Sequence, residues 1–542
     1  MLSTMQDGHL TVGTLLRHGS EVHASSEIIT WTGSGARRET FAKTGEQAAK
    51  LANALRALGI TGDQRVGTFM WNNAEHMAAY CAIPAMGAVL HTLNIRLFPE
   101  QLVFVANHAE DQVILVDGTL VPLLAKQLPH MRTVRHVIVA NGDAATLQAP
   151  DSIEVHSYDG LLAEQPGTFD WPAVDERSAA AMCYTSGTTG DPKGVAYSHR
   201  SIWLHSMQVC MTDGMRVAES DKALAIVPMF HAMSWGLPYA ALMIGASLVL
   251  PDRFLQPEPI ARILAAEKPT FAAGVPTIWQ ALSQWLDANP QDISHLREVV
   301  VGGSAAPPSL IHAFQERYGV PILQVWGMTE TSPLGSIARP PKSETGEQER
   351  QTRYTQGRFP AGVTARLIGD SGEELPWDDE SVGELQVRGP WVAASYYGVS
   401  DVDLDKFHDG WLCTGDVGKI SPDGFLTLTD RSKDVIKSGG EWISSVELEN
   451  AVMGHPAVAE AAVIGVPDEK WDERPLVAVV VREGQRVTAA ELRDYIADKV
   501  AKWQLPEYWT FVDEVPKTSV GKFDKKRLRA MNSQGNLDIT HL

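Results

Sequence analysis

Two stretches of this chain alternate between helix-like and strand-like patterns, and that alternation limits the fold more than any other feature. From about residue 40 to 125, GEQAAKLANALRALGI carries apolar residues at helical spacing and ends in Gly59. QRVGTFM reads as a strand, NAEHMAAYCAIPAMG as a helix, AVLHTLN as a strand, PEQLVFVANHAE as a helix and QVILVD as a strand. The pattern returns near 223–300: ALAIVP, an apolar helix, SLVLP, a helix, TFAAGVP and a long helix. Strands that alternate with helices imply parallel sheets covered by helices, an α/β fold. After about 360 the segments GVTARLIG, VGELQVRG and GFLTLTD are short strands broken by Gly and Asp, and they predict a small antiparallel barrel or sheet. Residues 340–355 are polar and predict a mobile loop.

Beyond about 432 a smaller α+β unit follows. VIKSGGEWIS precedes a helix in VELENAVMG, strands in VAEAAVIGVP and PLVAVVVRE, and a helix in AAELRDYIADKV. We divide the chain into a large N-terminal domain, 1–430, a short polar hinge at 431–434, and a small mobile C-terminal domain, 435–542. At 542 residues each part is long enough to bury a core. The net charge of −20 disfavours nucleic acid or an anionic membrane as main partner. The four cysteines (Cys81, Cys183, Cys210, Cys413) are scattered with no C-x-x-C spacing, so neither a zinc site nor a disulfide framework is indicated, and a reducing cytosol fits. The start, MLSTMQDGHL, lacks the features of a signal peptide, and no apolar run reaches bilayer-spanning length. A cytoplasmic protein is expected.

Residues 184–194 read YTSGTTGDPKG, between two apolar runs that predict strands. Glycines turn backbone N–H groups inward, and hydroxyls and Lys193 add donors, a nest suited to phosphate oxygens. It is not a Walker A loop, because Pro192 stands where that pattern needs glycine. The plain alternative is a glycine-rich hairpin turn. Further along stand PMFH at 228–231, VGGSA at 301–305, WGMTE at 326–330, TGD at 414–416, DRSKDVIKSGGEWIS at 430–444 and PKTSVGK at 516–522. Together and in this order they resemble the acyl-adenylate-forming superfamily of acyl-CoA synthetases, adenylation domains and luciferases. The wording is most similar to medium-chain fatty acyl-CoA synthetases and 3-methylmercaptopropionate-CoA ligases.

The resemblance implies an acid–CoA ligase working in two steps, with ATP, Mg²⁺ and CoA as cofactors or co-substrates and with acyl-AMP between the steps. It assigns nucleotide contacts to Thr185, Ser186, Gly187, Thr188, Thr189, Gly190 and Lys193, to Gly302, Gly303, Ser304 and Ala305, and to Trp326, Gly327, Met328, Thr329 and Glu330. Asp416 and Arg431 grip the ribose, Lys522 bridges carboxylate and α-phosphate, and Glu330 and Thr185 hold Mg²⁺. Catalytic roles fall to Lys522, His231, Thr185 and Glu330. The CoA arm would pass Lys437, Ser438, Gly439, Gly440, Glu441 and Trp442 after rotation about Lys433. His231, Met233, Trp235 and Trp326 would border the acyl group, with Trp235 one helical turn beyond His231 and on the same face. A homodimer is expected. Two other readings stay open: a stand-alone adenylation protein that loads a carrier-protein thiol, and a luciferase-like oxygenase.

Overall fold

The computed structural model describes residues 1, 3–185, 191–399, 406–431, 433–438, 441–468, 470–518 and 522–542, with Glu441 and Trp442 as backbone only. The first alternating block forms a sheet of parallel strands in the order Glu154–Ser157, His136–Ala140, Asp111–Asp117, Arg65–Phe69, Val89–Thr92, Ala179–Tyr184, closed by antiparallel Gly194–Ser198. The second forms a parallel array through Ser247–Leu250, Lys222–Ala225, Phe271–Gly274, Glu298–Val301 and Ile322–Gly327.

The helix Ala74–Ala85 explains how the two sheets join. Every one of its residues is buried. It packs on Val89–Thr92 and Ala179–Tyr184 of one sheet and on Glu27–Trp31 of the other. A helix enclosed on all sides needs no polar face, which is why its run of Ala, Met, Tyr, Cys and Ile is apolar all round. One core cluster accordingly contains Val66 and Leu90 from the first sheet together with Ala223 and Leu248 from the second. The first 40 residues, unread in the sequence, supply the helix Val12–Val22 and a hairpin, Glu27–Trp31 with Ala36–Thr40. The hairpin extends the second sheet through parallel pairing with Ser247–Leu250.

The short strands after 360 form a sheet, and they continue the large parallel one. Ile322–Gly327 pairs in parallel with Glu298–Val301 on one side and antiparallel with Leu334–Ile337 on the other, and the antiparallel part follows from there. The loop expected at 340–355 is in part a helix, Glu347–Tyr354. Of its residues only Thr352 is buried, so hydrophobic periodicity carried no signal. Tertiary contact holds its end: the buried Gln324 side-chain amide donates to the carbonyls of Arg353, Tyr354 and Thr355 at 3.0–3.2 Å. Those carbonyls have no partner inside the helix.

The C-terminal unit has its own core, with Ile436, Leu448, Val463, Val477, Leu492 and Trp509 in one cluster and Ile464, Leu476 and Leu528 in another. Its central strands Val458–Asp468 and Asp472–Val481 pair antiparallel, and Tyr508–Phe511 adds in parallel. The connection is short. Arg431 still pairs with Asp416 in the N-terminal sheet, Arg431 O accepts from Asp434 N and Val435 N, and Ile436 begins the next hairpin.

Candidate active site

The two ends of the 184–194 loop are zipped by the antiparallel strands that flank it. Thr185 N donates to Lys193 O at 2.9 Å, and Lys193 N returns to Thr185 Oγ1 at 3.1 Å. Ser186, Gly187, Thr188, Thr189 and Gly190 lie outside the described residues. Beneath the loop, Tyr184 hydroxyl and His108 Nδ1 are 2.7 Å apart, and Tyr397 N donates to Gly194 O. Lys193 Nζ stands 4.8 Å over the ring of Tyr396, whose hydroxyl donates to Glu330 Oε1 at 2.5 Å. Tyr396 thus ties the loop to the buried carboxylate that follows Thr329. The pair of tyrosines in SYYG, 395–398, is the signal of this tie in the sequence.

Glu330 sits in the 3₁₀ turn Thr329–Thr331, 4% exposed. Tyr197 hydroxyl donates to Thr329 O at 2.7 Å, and Ala393 N to Glu330 O at 2.7 Å. Gly327 must be glycine, since a Cβ there would stand 1.7 Å from Pro333 O. Met328 N is capped by Thr331 Oγ1 at 3.0 Å.

Asp416 and Arg431 face each other on adjacent strands, with Nε to Oδ1 at 3.1 Å. The Asp416 charge, followed by other acids, raises the Arg431 pKa against burial. The second oxygen of Asp416 accepts from Trp326 Nε1 at 2.8 Å. The Trp326 ring packs with Val363, Leu385 and Trp391, whereas Met233 and Trp235 belong to a different core cluster. Trp326 therefore stands beside the expected ribose carboxylate.

The expected helical turn from His231 to Trp235 does not exist. Ala232, Met233, Ser234 and Trp235 have φ of 41°, 54°, 51° and 54°, a left-handed turn, so the right-handed i, i+4 relation fails. Each such residue costs about 1–2 kcal/mol. Burial and specific contacts hold the turn: Ser234 Oγ donates to Val227 O at 2.8 Å, and backbone groups of Ala232 and Met233 bond to the buried Cys183 thiol. Trp235 lies against Gly302, where a Cβ would be 3.1 Å from Cη2 of the indole. Gly303, with φ of 87°, follows it, and then the exposed Ser304 and half-buried Ala305.

His231 is half-buried, and its pKa is pushed down to about 4 by loss of solvent, with the charges of Lys522 and Arg96 adding to the effect. It is a neutral imidazole at pH 7. Arg96, a second residue missed in the sequence, thus brings positive charge toward His231, and burial lowers its own pKa.

Lys522 comes from the C-terminal unit. Its loop is closed by Thr518 N to Lys522 O at 2.7 Å and by Lys522 N to Thr518 Oγ1 at 3.2 Å; residues 519–521 lie outside the described set. The Lys522 Cε stands 3.8 Å from where a Gly303 Cβ would be. Its pKa is pushed down to about 8, by burial first and then by Arg431, while Asp416 and Glu330 oppose the shift. Residues far apart in sequence, 231, 303, 330, 416, 431 and 522, therefore converge on one cleft between the two units.

Of the segment expected to meet CoA, the described residues bond within their own unit. Lys437 N donates to Glu473 Oε2 at 2.9 Å, and the buried Ser438 Oγ accepts from Arg474 Nη1 at 3.0 Å. Glu441 and Trp442 pair with Ser438 and Lys437 through the backbone, and Gly439 and Gly440 lie outside the described residues. Lys433 is exposed, and Arg529 Nη2 donates to its carbonyl and to Asp434 Oδ1.

Residues 16–397 match the AMP-binding enzyme family, and residues 447–522 match the AMP-binding enzyme C-terminal domain. The chain belongs to the AMP-binding enzyme family. It is 43% identical over 537 residues to a medium-chain-fatty-acid–CoA ligase of Ectopseudomonas oleovorans, covering 98% of this chain and 97% of that one. It is also 43% identical over 536 residues to a 3-methylmercaptopropionyl-CoA ligase of Ruegeria lacuscaerulensis, covering 98% of each. Among solved structures, the anthranilate CoA ligase AuaEII in complex with anthranoyl-AMP superposes with a TM-score of 0.88 at 26% identity, over 99% of this chain and 100% of that one.

Proposed function

We propose that this AMP-binding enzyme is an AMP-forming acid–CoA ligase for short or medium-chain fatty acids or 3-methylmercaptopropionate. One observation carries the reading. A lysine of the C-terminal unit, Lys522, reaches into the N-terminal unit, its Cε 3.8 Å from where a Gly303 Cβ would stand, and there the charges of Arg431, Asp416 and Glu330 act on it. In the first step a carboxylate oxygen attacks the α-phosphorus of ATP and pyrophosphate leaves. Negative charge builds on the phosphoryl oxygens, and the Lys522 ammonium offsets it. Asp416 accepts from the ribose hydroxyls, and its bonds to Trp326 and Arg431 hold its orientation.

Mg²⁺ is a hard cation that takes oxygen ligands. Glu330, a buried carboxylate beside the Tyr396 hydroxyl and the phosphate loop, suits it. Glu330 and Thr185 would hold the ion, which would neutralise phosphate charge.

In the second step the CoA thiol attacks the acyl carbonyl and AMP leaves. The described bonds of Lys437 and Ser438 run within the C-terminal unit, so a rotation at 431–434 would bring that segment to the cleft. Proline at Lys433 should preserve one half-reaction and abolish the other. The buried Met233 and Trp235 favour a short apolar acyl group that tolerates sulfur. The four cysteines are free, and no described helix is long and apolar enough to cross a membrane. Both facts accord with a cytoplasmic enzyme. We take it as a homodimer, to be checked by analytical ultracentrifugation.

The test is mass spectrometry of products after incubation with ATP, Mg²⁺, CoA and a series of straight acids plus 3-methylmercaptopropionate. Acyl-CoA and AMP from a short or medium acid support the proposal. Acyl-AMP that never reaches CoA, or a best substrate that is aromatic or as long as palmitate, defeats it.

A further inference from the structure

The sheet that carries the phosphate loop ends, at its far edge, in a group of three side chains that the ligase reaction does not use. His136 opens the strand His136–Ala140, and Glu154 opens the edge strand Glu154–Ser157. The strands are parallel, and His136 and Glu154 are register partners. His156 lies two residues beyond Glu154, on the same face of the sheet. The ligand atoms converge. His136 Nδ1 and His156 Nε2 are 3.2 Å apart, His136 Nδ1 and Glu154 Oε2 are 3.6 Å apart, and His156 Nε2 and Glu154 Oε2 are 3.8 Å apart.

We propose that His136, Glu154 and His156 form a binding site for a borderline-soft divalent cation, Zn²⁺ in the first place. Tetrahedral zinc with bonds near 2.0–2.1 Å sets its ligand atoms about 3.3 Å apart, so closing this triad on the ion requires shifts of only a few tenths of an ångström. Two imidazoles and one carboxylate select Zn²⁺ and its transition-metal neighbours over Mg²⁺, which prefers oxygen. The imidazoles are sheltered, with side chains 18% and 21% exposed, and the carboxylate is 72% exposed. Two ligands are therefore held by the sheet, and the third can swing onto an ion arriving from solvent.

A simple imidazole pair explains the geometry less well. One ring can donate to the other, but that contact leaves a carboxylate, which only accepts, facing the same two nitrogens. The ion satisfies all three at once. It also clasps an edge strand, paired on one side only among the described residues, to its neighbour. The triad sits at the N-terminal ends of the parallel strands. The phosphate loop leaves the C-terminal end of Ala179–Tyr184, so the two sites are at opposite ends of one sheet.

The experiment is calorimetric titration of ZnCl₂ into chelator-stripped full-length protein with millimolar Mg²⁺ present, and Co²⁺ visible absorption as a second readout. One Zn²⁺ per chain and an intense tetrahedral Co²⁺ band are expected. His136→Ala and His156→Ala should each weaken binding by at least about a hundredfold, since even changes around a ligand cost 10–100-fold. Glu154→Gln should weaken it by about tenfold, and ATP–pyrophosphate exchange should be unchanged in all three. No binding in the presence of Mg²⁺, no tetrahedral Co²⁺ band, or unchanged affinity in the His136→Ala/His156→Ala double variant overturns the site. If the double variant does not fold, by circular dichroism, His156→Gln and the wild-type Co²⁺ spectrum decide.

Discussion

The cleft is built from two halves of different construction. On the N-terminal side, Asp416, Glu330 and Trp326 are buried and bonded to one another or to fixed neighbours: Asp416 to Trp326 and Arg431, Glu330 to Tyr396. Adjacent strands and a 3₁₀ turn hold them. On the C-terminal side, Lys522 stands in a loop closed by two bonds to Thr518, and it reaches the cleft only because its whole unit is docked there. Described hydrogen bonds at and near the junction dock it. Asp430 of the N-terminal sheet accepts from Ser445 N at 2.7 Å and Ser445 Oγ at 2.5 Å and feels the charge of Lys525, which pairs with Glu449 inside the C-terminal unit at 2.8 Å, and Gln280 Nε2 donates to Ala459 O at 3.0 Å. In the proposed reaction the first half would position the nucleotide, and the second would supply one charge and then move away. A chemistry that needs the same volume for ATP and then for CoA would use such a division.

The comparison breaks most readily at Lys522. Lys522→Ala should lower acyl-adenylate formation by two to four orders of magnitude, about 3–5 kcal/mol, and spare thioester formation from supplied acyl-AMP. Equal loss in both half-reactions, measured by pyrophosphate exchange and by thioester release, would show that the lysine does not serve one pose alone.

Next in size is the junction. Burial works against the charge on Lys525, yet Glu449 and Asp430 outweigh it and hold its pKa up. Lys525→Met leaves two nearly buried carboxylates without their cation, and urea unfolding should show about 3 kcal/mol less stability in the C-terminal unit. A loss below about 1 kcal/mol would mean that the cluster does not secure the unit.

A smaller effect tests the rigid half. Trp326→Phe removes one hydrogen bond to a charged acceptor and should cost about 1.5 kcal/mol, roughly tenfold in kcat/KM for ATP. The optimum acid should not move. A shift in acid preference with unchanged ATP kinetics would return Trp326 to the acyl side.

The smallest effect is in pH. Lys522 is pushed down to about 8, so the adenylation rate should be halved near pH 8 and fall about tenfold per unit above it, as the ammonium is lost. Docking itself changes in the opposite direction. A lysine whose pKa is lower when docked favours the docked pose as pH rises from 8 toward its free value, so the rate loss reports charge and not undocking. His231, pushed down to about 4, adds no limb between pH 6 and 9. A flat adenylation profile through pH 9 would mean that the ammonium is not needed.

The sequence by itself determined the alternation of helices and strands, the two parallel sheets, the separate C-terminal unit and the family, because periodicity and glycine-rich loops are local signals. It did not show the helix Glu347–Tyr354, which is polar all round and capped by Gln324 from another strand. Nor did it show the left-handed turn at 232–235, since right-handed spacing is the default and only surrounding burial sustains four such residues. Tyr396 and Arg96 join the cleft through space, from segments outside the motifs that marked the site in the sequence. The lowered pKa of Lys522 is likewise a tertiary fact. In sequence it is a lysine in a polar loop; docked, it loses water and gains Arg431 as a neighbour. Local order follows from each segment's own residues, whereas charge state and contact depend on which distant segments the fold brings together.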